Sequence, residues 1–322
     1  MFEPAEQHIP VLSKPLLDML EYQPDAVIVD CTVGQGGHSL QLASKLNSDG
    51  LLIGIDVDPD SLKVAKQNLA GLGCQVQLVK NNFGNIAGVL EALDIQRADI
   101  ILADIGISSA QLADPNRGIS FRFDGPLDMR LAGPASTEGQ TAADLVNTLY
   151  EKELADIIFQ YGEERRSRAI AKAIVSARRD NRIETTTQLV EIINKVFGYQ
   201  GGGHSQKIHP ATRTFQALRI AVNDELGVLE RLLEAAPALL NEGGEIAVIS
   251  FHSLEDRIVK KDFRANKDIS VYDIITKKPI IAEHQEIKSN PRSRSAKLRI
   301  ARKLADSRRK DKNEIESYRR FA

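Results

Sequence analysis

The fold is constrained most by the alternation of short β-branched runs with amphipathic segments in the first third of the chain. Strands are predicted at residues 27–33, 51–56, 76–79 and 99–104, with apolar residues at helical spacing between them. This order is typical of βαβ units, whose strands form a parallel sheet through right-handed crossovers.

The alternation stops after residue 104. Apolar residues then recur at helical spacing until a buried strand is predicted at residues 244–250. Two later β-rich runs, residues 269–281 and 295–300, are expected to complete the sheet as a hairpin. We therefore predict an α/β domain interrupted by an all-helical inserted domain, with the α/β domain formed by residues 1–108 and 219–322 and the insert by residues 109–218.

Composition agrees with a globular protein of two domains, since the 322 residues are 42% hydrophobic and 27% charged. The absence of a leader pattern and of a long apolar stretch predicts a cytoplasmic protein without membrane contact. The two cysteines, Cys31 and Cys74, lack the clustered spacing of a zinc site, so no metal is expected. Charge is uneven, because residues 288–322 hold thirteen Lys and Arg against four Asp and Glu.

A glycine turn, Gly-Gln-Gly-Gly-His at residues 34–38, lies between the first predicted strand and its helix. Glycine lets a backbone turn sharply and approach a ligand, and the helix N-terminus offers free N–H groups. Asp56 ends the second predicted strand, twenty residues after Gly36, where a carboxylate can accept hydrogen bonds from ribose hydroxyls. Together these features predict a nucleoside cofactor.

Spacing alone leaves the identity of the nucleoside open. Ser39 stands where a nicotinamide-binding turn usually has its third glycine, and the chain has no Gly-Lys-Ser/Thr phosphate loop. S-adenosylmethionine has no phosphate, so a looser turn suffices for it. Asp104 ends the fourth predicted strand, at the edge where doubly wound sheets place reacting groups, and can accept a hydrogen bond from a substrate or cofactor amine.

Long motifs along nearly the whole chain closely resemble those of the 16S ribosomal RNA (cytosine-N4) methyltransferases, the RsmH/MraW family. The motifs are His-Ile-Pro-Val-Leu at 8–12, Gly-Gln-Gly-Gly-His-Ser at 34–39, Asp-Ile-Gly-Ile-Ser-Ser-Ala-Gln-Leu at 104–112, Arg-Gly-Ile-Ser-Phe at 117–121, Asp-Gly-Pro-Leu-Asp-Met-Arg at 124–130, Tyr-Gly-Glu-Glu at 161–164, His-Pro-Ala-Thr-Arg-Thr-Phe-Gln-Ala at 209–217 and Ser-Phe-His-Ser-Leu-Glu-Asp-Arg at 250–257.

The resemblance implies a Rossmann-like α/β S-adenosylmethionine-dependent methyltransferase with an inserted helical domain. The implied reaction methylates the exocyclic N4 of a cytidine in the decoding region of 16S ribosomal RNA and releases S-adenosylhomocysteine. Phe83 would stack or pack on the adenine. The cofactor contacts implied by the motifs are Gly36, Gly37, His38, Asp56, Phe83, Asp104 and Gln111.

Asp104 is also the expected catalytic residue. Other amino-methyltransferases have two prolines after the fourth strand, where this chain has Ile105 and Gly106, so their mechanism does not transfer directly. We expect either Asp104 or a nearby backbone carbonyl to accept the N–H of the substrate amine. Attack by N4 needs no cysteine nucleophile.

Contact with RNA is expected from charged residues in both predicted domains. Arg213 and His252 are the candidate substrate residues, with bracing of the two domains as the alternative role. The basic segment 165–179 and the basic tail from Lys288 are expected to bind phosphates, against the alternative of solvated charge. The expected partner is 16S ribosomal RNA within the small ribosomal subunit, and a homodimer is left open.

Two other functions compete with this interpretation. A nicotinamide-dependent dehydrogenase has the same fold class, but Ser39 replaces the third glycine and no hydride-relay pair is evident. A non-catalytic RNA-binding or ribosome assembly factor could keep a vestigial fold, but the intact turn with Asp56 and Asp104 argues against it. Binding of S-adenosylmethionine against NADH discriminates the three.

Overall fold

The computed structural model describes residues 10–137, 139–199 and 209–305. The chain divides into two compact units, which are Met1–Gly106 with Gly227–Ala322, called the sheet unit, and Ile107–Leu226, called the helical unit. The first residues of the motif at 8–12, residues 200–208 and the basic residues after 305 lie outside the described residues. No helix in the described residues is long and apolar enough to cross a membrane.

The sheet unit is built on one eight-stranded sheet with the order β3-β2-β1-β4-β5-β8-β6, with β7 paired to β8. The first five strands run parallel, and β8 lies antiparallel between β5 and β6. The predicted hairpin at the end of the sheet is confirmed by this β6 and β8 pairing. The strands are β1 (Val27–Asp30), β2 (Leu51–Asp56), β3 (Gln75–Lys80), β4 (Ala98–Asp104), β5 (Leu240–Ser250), β6 (Tyr272–Ile274), β7 (Ile280–Ile281) and β8 (Lys297–Lys303).

Apolar side chains cover both faces of this sheet, which is why its strands read as continuous hydrophobic runs. In β4, Ile100 and Leu102 belong to one core cluster and Ile101 and Ala103 to the other. The parallel topology brings the carboxyl ends of β1, β2 and β4 to one edge. The helices of this unit are α1 (Ser13–Met19), α2 (Gly37–Ala43), α3 (Pro59–Asn68), α4 (Ile86–Ala92), α11 (Glu225–Leu239, from its third residue), α12 (Ser253–Asp268) and α13 (His284–Ser289).

The helical unit contains no named strand in its described residues, apart from an isolated bridge between Pro126 and Thr185. Three of its helices begin at hydroxyl caps, Ser108, Thr141 and Thr185, which each form a capping box. One apolar cluster joins the helices, with Ile158, Ile170 and Leu189 fully buried. The helices are α5 (Ser109–Ala113), α6 (Ala142–Thr148), α7 (Glu151–Gly162), α8 (Ser167–Ala177), α9 (Thr186–Phe197) and α10 (Thr212–Asn223).

The end of the helical unit differs from the boundary expected at residue 218. That position falls inside α10, whose apolar residues Phe215 and Leu218 pack in the core of the helical unit. Because these residues lie in the core of the helical unit, the whole of α10 belongs to that unit, which ends at Leu226. Its start, Ile107, lies two residues before the expected boundary at 109.

Candidate functional site

The glycine turn follows β1 and leads into α2 at the carboxyl edge of the sheet. Gly34 and Gly36 have positive φ values of 50° and 89°, a conformation that glycine adopts without a steric penalty. Gly36 is the N-cap of α2 and offers no side chain there, so the first N–H groups of the helix receive no side-chain cap from it. A Cβ on Gly37 would lie 2.7 Å from Cγ of Pro10, so this position has no room for a larger residue.

Asp56 ends β2 beside this turn. Its Oδ2 accepts a hydrogen bond from the Gly34 N–H at 2.9 Å, and its Oδ1 accepts one from the Asp58 N–H at 2.9 Å. Burial raises the pKa of Asp56 to about 6, although these two backbone hydrogen bonds act in the opposite direction. Each carboxylate oxygen keeps a second lone pair, so the group can still accept hydrogen bonds from a ligand.

Asp104 and His38 meet at the end of β4. The backbone N–H of Asp104 donates to Oγ1 of Thr32 at 2.7 Å, and Nε2 of His38 lies 3.5 Å from Oδ2 of Asp104. The His38 side chain is 7% exposed and that of Asp104 is 20% exposed. Among the described residues, neither ring nitrogen of His38 nor Oδ1 of Asp104 has a hydrogen-bond partner. Buried polar atoms without partners cost about 1–3 kcal/mol each, so this pair marks a place for a polar ligand.

A second polar layer supports this pair from behind. The Ser39 hydroxyl donates to Oδ2 of the fully buried Asp30 at 2.6 Å, and the Thr32 N–H donates to Oδ1 of Asp30 at 3.1 Å. Burial raises the pKa of Asp30. Ser39, the residue that broke the nicotinamide-type glycine pattern, therefore fixes α2 to β1. Sequence reasoning missed Asp30 and Thr32, and a lone acid at the end of an apolar run was the signal that could have indicated them.

Phe83 follows β3 at the same carboxyl edge. It opens a short 3-10 turn, where the Asn82 side chain accepts from the Gly84 N–H, and its ring is half-buried against the core of the sheet unit. A Cβ on Gly84 would lie 3.0 Å from Nε of Arg231, so the backbone at this turn is closely packed. The position is suited to an adenine contact, which stays a prediction.

The remaining predicted residues are divided between the units. Gln111 lies in α5 of the helical unit, 7% exposed, and its Oε1 accepts from the Ser108 N–H in a capping box. Arg213 lies in α10 with a half-exposed side chain that donates to the carbonyl of Glu163 at 3.3 Å. His252 caps α12 in the sheet unit, with its Nε2 3.0 Å from Oε1 of Glu255. Arg213 and His252 are thus part of separate local structures, and their contact with substrate stays a prediction.

An aromatic cluster in the helical unit was also missed from the sequence. The His209 ring lies 4.8 Å from the Phe121 ring and 5.1 Å from the Tyr199 ring, measured between centroids. Its Nδ1 accepts from the Ala211 N–H at 3.1 Å, which places the proton of the neutral ring on Nε2. Partial burial lowers the pKa of His209.

The residues of the sheet unit fit a nucleoside with a charged amino-acid tail. Gly36 and Gly37 present backbone without side chains at the start of α2, and Asp56 can accept from hydroxyls. Asp104 and His38 offer polar atoms that have no hydrogen-bond partner among the described residues. A nucleoside of this kind supplies hydroxyl donors for Asp56 and an amine for Asp104. The chemistry of these groups therefore agrees with S-adenosylmethionine.

Comparison with known proteins gives a consistent result. The sequence profile described as the MraW methylase family matches residues 5–304. Ribosomal RNA small subunit methyltransferase H of Sorangium cellulosum is 48% identical over 301 residues, which cover 93% of this chain and 92% of the relative. The protein of the same name from Geobacter sulfurreducens is 48% identical over 312 residues, with 92% and 99% coverage. A solved rRNA methylase from Streptococcus thermophilus shows 12% identity and a TM-score of 0.40, covering 91% of this chain and 94% of that one.

Proposed function

The chain belongs to the MraW methylase family, and on that premise we propose that it methylates the exocyclic N4 of a cytidine in the decoding region of 16S ribosomal RNA, with S-adenosylmethionine as methyl donor. The observation that supports this most directly is the pair of His38 and Asp104 beside the glycine turn, because the His38 ring nitrogens and Oδ1 of Asp104 have no hydrogen-bond partner among the described residues. The family gives no support to a nicotinamide dehydrogenase or to a non-catalytic assembly factor.

The cofactor would be held by the groups at the carboxyl edge of the sheet. Asp56 would accept hydrogen bonds from the ribose hydroxyls, Phe83 would pack on the adenine, and Gln111 would complete the contacts. Gly36, Gly37 and His38 would line the turn, with the α2 N-terminus beside them. Bound there, the cofactor supplies a methyl group already activated on a sulfonium, and S-adenosylhomocysteine is the product.

The protein's own task is then alignment and acceptance of a proton. The lone pair of the cytosine amine is delocalised into the ring, so N4 must be held in line and its N–H bonds must find an acceptor. Oδ1 of Asp104 has no partner among the described residues, so it is available to accept one N–H. His38, 3.5 Å away, would hold the carboxylate in place.

The cysteines agree with attack by N4 rather than chemistry at a ring carbon. Cys31 is 1% exposed, and burial raises the pKa of its thiol well above the ordinary value, so it offers no accessible thiolate. Burial also raises the pKa of Cys74. A reaction that proceeds through a cysteine adduct at carbon 6 has no suitable nucleophile in this chain, which contains only these two cysteines.

The proposed substrate is the cytidine within the assembled small ribosomal subunit in the bacterial cytoplasm. Reaching N4 requires an unpaired or flipped base, which costs least in irregular RNA. Arg213 and His252 are the proposed substrate contacts. A homodimer is compatible with this function and is not required by it.

The test uses small subunits purified from cells that lack the enzyme, together with radiolabelled S-adenosylmethionine. We expect the label in 16S ribosomal RNA, and more efficient transfer to assembled subunits than to a short oligonucleotide that contains the same cytidine. A parallel titration should show binding of S-adenosylmethionine and none of NADH. Labelling of protein or of another RNA, or binding of NADH alone, would overturn the proposal.

A further inference from the structure

The charges of α8 and its flanking turns are all positive. Residues 165–179, which contain α8 and its flanking turns, include six Lys and Arg and no Asp or Glu. The neighbouring helices mix their charges, with Glu151, Lys152 and Glu153 at the start of α7 and Glu191 and Lys195 in α9. The sequence alone does not show which of these six cations are available to bind a partner.

Two of the six have internal roles. Arg166 donates to the carbonyl of Val196 at 3.2 Å, and its guanidinium lies 4.8 Å from the centroid of the Phe197 ring. Arg178 donates to the carbonyl of Val146 at 2.7 Å. These two side chains tie α8 to the rest of the helical unit, so they are not available for a partner.

The other four cations are directed to solvent. Arg165, Arg168, Lys172 and Arg179 are all exposed. No ion pair or side-chain hydrogen bond joins any of them to another residue in the described parts of the chain. Arg168 and Lys172 lie one helical turn apart, about 6 Å along the axis, a spacing at which like charges cost about 0.2–0.5 kcal/mol. We call Arg165, Arg168, Lys172 and Arg179 the α8 basic face.

Arg213, a proposed substrate residue, lies at the beginning of this face. It donates to the carbonyl of Glu163 and approaches Oε2 of Glu164 to 3.9 Å, immediately before Arg165 in the chain. Glu164 is buried and its Oε1 accepts from the Arg166 N–H at 2.8 Å, so it does not neutralise the solvent side of the face. Arg213 of α10 therefore adds a further cation at the start of α8, next to the exposed Glu163.

We propose that the α8 basic face binds the phosphate backbone of the substrate RNA. The inference rests on the proposed function and names the surface by which the RNA is held. Like charges at helical spacing are stabilised when they neutralise phosphates, and each neutralised phosphate releases counterions. The basic tail is a weaker candidate within the described residues, because Lys297 and Arg299 pair with Asp256 and Arg302 pairs with Glu245 and Glu21.

The experiment measures equilibrium binding to protein-free 16S ribosomal RNA over a series of salt concentrations. One variant combines Arg165→Gln, Arg168→Gln, Lys172→Gln and Arg179→Gln. The matched control removes four exposed cations of the sheet unit, Lys63→Gln, Lys66→Gln, Lys260→Gln and Lys261→Gln, with the same change in net charge. We expect the α8 variant to bind RNA about 10–100-fold more weakly, with a salt slope reduced by about 2–3, and the control to change about threefold or less.

A second variant keeps the charge, with Arg165→Lys, Arg168→Lys and Arg179→Lys, and should bind within about threefold of the wild type. Affinity for S-adenosylmethionine should be equal in all four proteins, which shows that they are folded. The proposal is overturned if the α8 variant binds RNA like the control, or if the Lys variant loses as much affinity as the Gln variant.

Two further outcomes separate this proposal from others. Loss of binding to assembled subunits with full binding to protein-free RNA would mean that the face meets a ribosomal protein, and would overturn it. If the wild type binds RNA through this face and transfers no methyl group, the proposed function is wrong, while the proposal that the α8 basic face binds RNA is supported. If methyl transfer is observed and the α8 variant binds RNA as tightly as the control, the proposed function is supported, while the proposal that the α8 basic face binds RNA is wrong.

Discussion

The two units of the protein place their functional groups in opposite ways. In the sheet unit, the candidate site combines the buried Asp30 and His38 with the half-buried Asp56, and the two carboxylates accept hydrogen bonds from backbone N–H groups. In the helical unit, the cations of the α8 basic face are exposed, and the buried Gln111 takes part in a helix capping box. Under the proposed function, the sheet unit would bind the small cofactor, whereas the surface of the helical unit would bind the large, charged RNA.

The difference predicts that substitutions in the sheet unit affect chemistry and cofactor affinity, while those on the α8 basic face affect RNA affinity. Burial makes each lost partner in the sheet unit expensive, since no water replaces it. Exposed charges act through screened, additive contacts, so removal of a single charge from the α8 basic face should change RNA affinity only slightly. Each prediction below tests one side of this comparison.

The largest effect is expected for Asp104→Ala. Removal of the unpartnered carboxylate deprives the amine of its proton acceptor, and general-base groups of this kind contribute about 10²–10⁴-fold. We expect kcat for methyl transfer to fall by that factor, with RNA affinity unchanged. Single-turnover kinetics at saturating RNA measures it. Full activity in Asp104→Ala would leave the proposed function intact and remove Asp104 from the mechanism, in favour of a backbone carbonyl.

A smaller effect is expected for Asp56→Ala, which removes charge-assisted hydrogen bonds to the ribose. Affinity for S-adenosylmethionine should fall by about 1.5–3 kcal/mol, or roughly 10–150-fold. Isothermal titration calorimetry measures this loss. Asp56→Asn keeps the shape and one acceptor oxygen, and should lose less affinity than Asp56→Ala. Equal losses in the two variants would show that the charge contributes nothing.

Cofactor affinity should also depend on pH through the same carboxyl group. Its pKa in the free protein is raised to about 6 by burial, and hydroxyl donors favour the ionised form, so binding lowers that pKa. Affinity is therefore complete above about pH 7 and weakens as pH falls through about 6, by at most roughly tenfold per pH unit. Asp56→Asn should abolish this component. A dependence that is identical in wild type and Asp56→Asn would assign it to another group.

The smallest effect is expected for the replacement of a single glycine in each unit, Gly36 in the sheet unit and Gly198 in the helical unit. Gly36 and Gly198 both have positive φ, so replacement of either with Ala should cost about 1–2 kcal/mol of folding stability. A Cβ on Gly36 would lie 3.2 Å from Cγ of Leu69, whereas a Cβ on Gly198 meets nothing within 4 Å. Thermal denaturation should show that both variants lose folding stability, and that Gly36→Ala loses somewhat more because of the contact with Leu69. Only Gly36→Ala should weaken S-adenosylmethionine binding, and an equal effect of Gly198→Ala would contradict the comparison.

The sequence predicted the sheet unit well because its information is local. Strand periodicity, the glycine turn and an acid at the end of β2 are all contained in short segments, and the structure brings Gly34 and Asp56 into contact as those patterns require. The pairing of His38 with Asp104 depends on the order β2-β1-β4, which brings distant segments together. Spacing along the chain does not contain that information.

The helical unit was less accessible to sequence reasoning. A run of six cations gives no sign that Arg166 stacks on Phe197 and that Arg178 reaches Val146, because both contacts are tertiary. The end of the unit was placed inside α10 for the same reason, since only packing on α7 assigns that helix. Where function depends on which side chains remain free, the fold must be known first.

The proposed function depends most on which atom receives the methyl group. The direct measurement is digestion of 16S ribosomal RNA to nucleosides after reaction on subunits from cells without the enzyme, followed by mass spectrometry against synthetic standards. We expect N4-methylated cytidine with wild-type protein, and its loss with Asp104→Ala at concentrations of S-adenosylmethionine and RNA that saturate that variant. Detection of 5-methylcytidine, or of no methylated cytidine with wild type, would contradict the account.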